Sequence, residues 1–275
     1  FGNWGAPELG VTGAAIASLS TQVVSLVGVV LYVKIVLPQH DLFRRIWRAD
    51  FDMLAQVFRL GWPISITLLS EVGLFAASAV MMGWLGTVPL AAHGVAVQLA
   101  SITFMVHLGL SNAATVRAGN AYGRLDAPHL ARGAWVVTVM SLVFSAVTVA
   151  CFFLFPDFLI GIFILEDEPA KVQILQIGVG ILFMAGLFQL VDGTQVVALG
   201  VLRGVQDTRM PMIYAAISYW GIGVPMSYLL GFTFGLEGIG VWGGLGIGLG
   251  VAAIFLNLRF WRNVLPTIRS RQAEA

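Results

Sequence analysis

A chain of 275 residues that is 58% hydrophobic and only 11% charged, with a mean hydropathy of +0.89, has too few polar side chains to cover a water-soluble globule. That composition excludes a soluble domain and identifies an integral membrane protein. The net charge of +1 points to no partner, nucleic acid included, because in such a chain the placement of charges matters and their sum does not.

Apolar runs recur along the whole length, each near the roughly 20 residues that an α-helix needs to cross about 30 Å of hydrocarbon. They are continuous rather than alternating, so the spanning units are helices and the fold is all-α, not a barrel. Seven spans are predicted, at 10–36, 61–83, 89–116, 131–155, 172–200, 211–231 and 239–260. Ahead of the first, FGNWGAPELG lacks the basic start and apolar core of a signal peptide. Phe1 is not an initiator Met, so the expectation is an N-terminally truncated chain.

Between the first two spans, HDLFRRIWRADFDMLAQVFRLGWP, from His40 to Pro63, sets Leu42, Phe43, Ile46 and Trp47 at helical spacing with Arg44, Arg45 and Arg48 among them. This reads as a helix lying in the membrane interface and as the boundary between two lobes. The expected organisation is 1–36 as the last helix of one lobe, 37–60 as linker, 61–265 as a six-helix lobe and 266–275 as a cytoplasmic tail.

The second span contains ITLLSEVGLFAASAV, in which Glu71 interrupts an otherwise apolar run, with Thr67 one turn before it. The third carries His93, Gln98, Ser101, His107, Ser111, Asn112 and Thr115, polar groups that either line a path or hold helices together. His93, near the outer end, is expected at the interface. In the fourth span the single cysteine, Cys151, excludes an intrachain disulfide, belongs to no Cys or His cluster that would hold a metal, and reads as packing. The fifth span places Gln189 and Gln195 three residues to either side of Asp192. In the seventh, Gly238-Ile-Gly240-Val-Trp-Gly243 matches a dinucleotide fingerprint literally, but no strand precedes it and it opens an apolar span. Gly240, Gly244 and Gly248 instead recur every four residues, the spacing that lets a neighbouring helix approach closely.

Of the fourteen acidic residues only Glu71 and Asp192 lie well inside predicted spans. An acidic residue at the bilayer centre is unfavourable by roughly 2.5 to 3.5 kcal/mol, so both are expected to face the bundle interior or a wet cavity. With no Lys or Arg predicted in mid-span, each must be protonated, matched by a bound cation, or hydrogen-bonded by Ser, Thr and amides. No nucleophile, base and orienter stand together, so the chain is not read as an enzyme.

Charge also orients the spans. Every Lys and Arg except Lys171 falls in alternate connections, which the positive-inside rule makes cytoplasmic. The C-terminus is then inside and Phe1 outside a multi-pass protein of the inner, plasma membrane. PELGVTGAAIA, from Pro7 to Ala17, resembles EGIGVWGGLGI, from Glu237 to Ile247, at the same outer entrance to a span. This suggests two repeats offset by about 230 residues, and hence twelve helices in two lobes, of which the seven here are helices 6 to 12.

From Phe58 to Asp126 the chain reads FRLGWPISITLLSEVGLFAASAVMMGWLGTVPLAAHGVAVQLASITFMVHLGLSNAATVRAGNAYGRLD, and from Leu190 to Pro211 LVDGTQVVALGVLRGVQDTRMP. In these signatures it resembles the multidrug and toxic compound extrusion (MATE) family, of the bacterial NorM-like type. The resemblance implies a twelve-helix, two-lobe transporter. It would export cationic, amphipathic compounds into exchange with H+ or Na+ and hold no other cofactor. Its partners are those small substrates, the lipid bilayer and an N-terminal lobe of the same chain. By motif, Glu71 and Asp192 match the two acidic residues that serve the coupling cation, Na+ included, in this family. Thr67, Gln98, His107, Asn112, Phe188, Gln189 and Gln195 are the expected lining of the cavity or pathway. Two departures stand out: Gly94 in LAAHG replaces an amide, and Phe188 stands where some relatives have tyrosine. A flippase for lipid-linked precursors and a non-transporting membrane scaffold are the alternatives.

Overall fold

The computed structural model describes residues 9–36, 38, 50–164 and 168–274. Among these, seven helical segments are long and apolar enough to cross a membrane: Gly10–Val36, Phe51–Leu85, Thr87–Gly123, Ala127–Leu154, Lys171–Gly204, Arg209–Thr233 and Glu237–Glu274. We label the α-helices in chain order as α1 (Gly10–Val36), α2 (Phe51–Leu85), α3 (Thr87–Gly123), α4 (Ala127–Leu154), α5 (Pro156–Gly161), α6 (Lys171–Gly204), α7 (Arg209–Ala216), α8 (Val224–Tyr228), α9 (Glu237–Arg259) and α10 (Leu265–Glu274). Wider π turns at Ile217–Gly223, Leu229–Thr233 and Phe260–Val264 join α7 to α8, follow α8, and join α9 to α10.

The helices outrun the predicted spans, mostly at the basic ends. Hydropathy marks only the stretch that matches hydrocarbon, whereas backbone hydrogen bonding continues through polar residues beyond it. At its start α2 differs most, being already helical from Phe51 and running on through Pro63. The helix predicted in the interface over Leu42, Phe43, Ile46 and Trp47 lies outside the described residues. Pro63 lacks the N–H that an interior helical residue donates. Two hydroxyls bond to carbonyls beside it, Ser65 Oγ to Gly61 at 3.1 Å and Thr67 Oγ1 to Pro63 at 2.9 Å.

The chain divides into two compact units at Ala55. The first contains α1, an apolar helix of mean hydropathy 2.0. The second, from Gln56, is a bundle organised on α6, which packs against α3, α4 and α9. Every residue of α6 from Gln195 to Leu202 is buried, so this stretch of the helix is enclosed on all sides. Hydroxyls fasten it to α3: Ser111 Oγ donates to the Val196 carbonyl at 2.7 Å and Thr115 Oγ1 to that of Gly200 at 2.9 Å. Asp126 caps α4 through the His129 N–H at 3.0 Å. Arg259 Nε donates to Asp207 Oδ2 at 2.9 Å, tying the end of α9 to the turn after α6.

The glycine stripe of α9 packs as its spacing suggests. A β-carbon on Gly244 would overlap the backbone of Ser227, and one on Gly240 or Gly248 would meet the backbone at Leu230 or Gly223. The α8 segment therefore lies directly on α9, and Ser227 Oγ donates to the Val241 carbonyl at 3.0 Å.

Candidate functional site

A cavity of about 280 Å³ opens between α2, α3 and α6. Each helix lines it with one stripe at helical spacing. From α2 come Leu68, Glu71, Val72 and Phe75; from α3, Val97, Ala100, Ser101, Phe104 and Leu108; from α6, Phe188, Asp192, Val196, Leu199 and Arg203. The walls are mostly apolar, and the charged groups on them are Glu71, Asp192 and Arg203. A larger hollow of about 640 Å³ lies elsewhere, at a polar end of the bundle among Asp207, Arg259, Arg262 and Arg271.

Glu71 and Asp192, far apart in sequence, thus face one space. Asp192 is buried, and its Oδ1 has no hydrogen-bond partner among the described residues. The same holds for Gln189 Oε1 and Gln195 Oε1, one turn to either side on α6. In both amides the NH₂ group is engaged: Gln189 Nε2 donates to the Ala100 carbonyl at 3.1 Å and Gln195 Nε2 to the Tyr219 hydroxyl at 2.6 Å. Their carbonyl oxygens are left as free acceptors. Two free amide oxygens, one turn to either side of a buried carboxyl that is itself unpartnered at Oδ1, leave this stretch of α6 with acceptors in excess, the chemistry that suits a cation or a proton donor.

The expectation that no fixed positive charge shares this site is corrected. Arg203 lies beyond the predicted span, but α6 continues to Gly204 and its long side chain reaches the cavity. Among the described residues no ion pair joins it to either carboxylate. The signal was present in the sequence: 192, 196, 199 and 203 follow the i, i+4, i+7, i+11 steps of one helix face.

The other sequence-selected residues fall in three groups. Phe188 lines the cavity, with its ring edge-on to Phe75 at 5.8 Å and to Trp242 at 5.5 Å. Thr67, Gln189, Gln195 and His107 are buried near it without lining it; the Thr67 hydroxyl is spent on Pro63. Gln98 and Asn112 are exposed on the surface of the bundle, as is Gly94. His93, near the start of α3, is buried, and its Nδ1 accepts from Trp242 Nε1 at 3.1 Å. On another helix segment, the Tyr219 hydroxyl reaches α6 at Gln195.

The profile of the MatE family matches residues 63–229, more than half of the chain and the whole of the cavity. The chain belongs to the MatE family. Among curated MATE relatives, one described as "Probable multidrug resistance protein NorM" from Rhizobium meliloti is 44% identical over 267 residues, covering 95% of this chain and 56% of the relative. A protein of the same description from Brucella suis is 40% identical over 271 residues, covering 98% and 57%. The chain therefore spans about half the length of the curated relatives it matches.

Solved MATE structures share the fold. One described as the outward-facing conformation of a multidrug resistance MATE family transporter superposes with a TM-score of 0.81 at 20% identity, over 96% of this chain and 58% of that one. MATE in complex with MaL6 gives 0.81 at 21%, over 95% and 58%. The seven apolar helices thus match part of the two-lobe, twelve-helix MATE fold, and the family is one of transporters rather than enzymes.

Proposed function

We propose that the chain supplies one lobe, with a helix of the other, of a secondary antiporter that exports cationic, amphipathic compounds in exchange for H+ or Na+ by alternating access. The observation that carries this reading is the convergence of Glu71 and Asp192, from separate helices, on one apolar-walled cavity. A carboxylate in that setting is costly unless it is neutralised, so the pair is a reversible binding site for a small cation. A cationic substrate presents the same charge to the same groups and competes with the coupling ion. The apolar walls, Phe75, Phe104 and Phe188 among them, suit the hydrophobic part of such a substrate.

Arg203 sets the charge balance. With both carboxylates ionised it leaves one negative charge in excess, which a single monovalent cation neutralises. Exchange of one proton for one monovalent substrate would move no net charge, so the ion gradient and not the membrane potential, worth about 2.3 kcal/mol per charge per 100 mV, would be the drive. Replacing Arg203 by Gln is expected to raise the apparent affinity for the coupling ion about tenfold, the order of magnitude of removing one unit charge from the walls of a partly buried site at an effective dielectric of about 20. Arg203→Lys keeps the charge and is expected to behave as wild type. Efflux assayed against sodium concentration and against pH gradient measures both. A flippase for phosphate-bearing lipids would need the opposite balance, and here two carboxylates outnumber one guanidinium.

By the positive-inside rule the ends of α3, α6 and α9, with Arg117, Arg203 and Arg259, are cytoplasmic. The test of the function is reconstitution of the complete two-lobed protein in liposomes loaded with ethidium. Export is expected only when an inward pH or sodium gradient is imposed. Export that ignores both gradients would overturn the proposal.

A further inference from the structure

His107 has no part in the exchange described above, yet it is wholly buried against the turn of α6 that carries Asp192. Both ring nitrogens meet serines of α4: Nδ1 lies 2.9 Å from Ser141 Oγ, and Nε2 makes a longer contact of 3.4 Å to Ser145 Oγ. Phe144, between those serines on the same face of α4, sets its ring edge-on to the imidazole at 5.3 Å. Ser145 Oγ also donates to the main-chain carbonyl of Gln189, at 3.0 Å.

Proton counting fixes the direction of this chain. A hydroxyl has one proton, and that of Ser145 goes to Gln189, so toward His107 its oxygen acts as acceptor. Nε2 of the ring then carries the N–H, and with the ring neutral Nδ1 accepts from Ser141. The result is a directed line: Ser141 to His107, His107 to Ser145, Ser145 to the Gln189 carbonyl. It links α4 and α3 to α6 one turn before Asp192.

The sequence makes room for it. A β-carbon at Gly193, the residue after Asp192, would lie 2.5 Å from His107 Cε1 and 2.7 Å from both Nδ1 and Ser141 Oγ. Glycine there lets the imidazole press against the α6 backbone. Gln189 is held a second time, through its Nε2 to the Ala100 carbonyl of α3. That bond also fixes which way the carboxamide faces and leaves Oε1 as a free acceptor, three residues from the free Oδ1 of Asp192.

We infer that His107, acting through Ser141 and Ser145, is a positioning residue that fixes the Gln189–Asp192 turn of α6 and so sets the affinity of the cation site. The inference rests on the cation-site reading of Glu71 and Asp192. His107 holds the helix, and the carboxylates of Asp192 and Glu71 meet the ion.

The experiment is ethidium efflux by the complete transporter in liposomes, titrated with sodium at fixed pH and, separately, with the pH gradient. Ser145→Ala removes one oxygen and keeps the packing, so it is read first; His107→Ala removes the whole strut. In Ser145→Ala the half-saturating ion concentration is expected to rise about fivefold, the worth of one buried hydrogen bond, with the maximal rate unchanged. His107→Ala is expected to shift it in the same direction and further. A purely structural loss would instead lower the amount of active protein and leave half-saturation where it was. If both variants titrate as wild type while Asp192→Asn abolishes export, the positioning role is wrong and the cation site stands. If Asp192→Asn itself exports normally, the cation-site reading fails, and the inference with it.

Discussion

Glu71→Gln and Asp192→Asn, each made in the complete two-lobed protein, are expected to reduce gradient-driven efflux of ethidium to background while the protein is still made, inserted and folded. Each substitution is nearly isosteric and removes only the capacity to exchange a charge. The cavity walls are retained, and the cost of holding a buried carboxylate is lifted, so thermal stability in detergent is expected to be unchanged or raised. That combination separates coupling from structure. A membrane scaffold would lose nothing but stability from the same changes. The two single variants should be equally inactive, because Glu71 and Asp192 face one cavity and act on one ion. Activity retained in either would remove that residue from the coupling site.

The second large effect concerns the packing of α9. Gly244→Ala is expected to destabilise the bundle by about 3 kcal/mol, the upper end of the range for over-packing, because its methyl group would enter the backbone of Ser227. Side-chain rotation cannot relieve a clash with main-chain atoms; α8 would have to move off α9 and break the Ser227 bond to Val241. Gly246→Ala, two residues along the same helix, meets no atom within 4 Å and is expected to be neutral or to stabilise by up to about 1 kcal/mol through helix propensity. Size-exclusion chromatography of detergent extracts after a temperature series reads both. The opposite signs follow from position alone, since residue type, substitution and helix are the same.

Much of this fold was legible because membrane insertion is written in long apolar runs. All seven spans, their order and the packing role of Gly240, Gly244 and Gly248 followed from length, hydropathy and four-residue spacing. The two mid-span carboxylates stood out by cost: there are only two, and each needs a reason. What hydropathy concealed was the far end of each helix. Arg203 was assigned to a connection because the apolar window closed at residue 200, although its spacing from Asp192 puts it on the cavity stripe. For His93, distance along the span says nothing of azimuth, and its side chain turns inward to Trp242. Gln98 and Asn112 illustrate the converse: polar groups in a mid-span position that face out of this bundle. The His107 strut was beyond reach, since its partners Ser141 and Ser145 lie on another helix and only the packing of α4 on α3 brings them together.

The central claim is that coupling ion and substrate draw on one set of charges. It is tested most directly by binding of tetraphenylphosphonium to the purified two-lobed protein, measured by calorimetry while sodium or proton concentration is raised. The account predicts that its apparent affinity falls in proportion to the concentration of the coupling ion once that ion saturates the site, and that Asp192→Asn flattens the dependence. An affinity that stays constant across both titrations in the wild-type protein would contradict it.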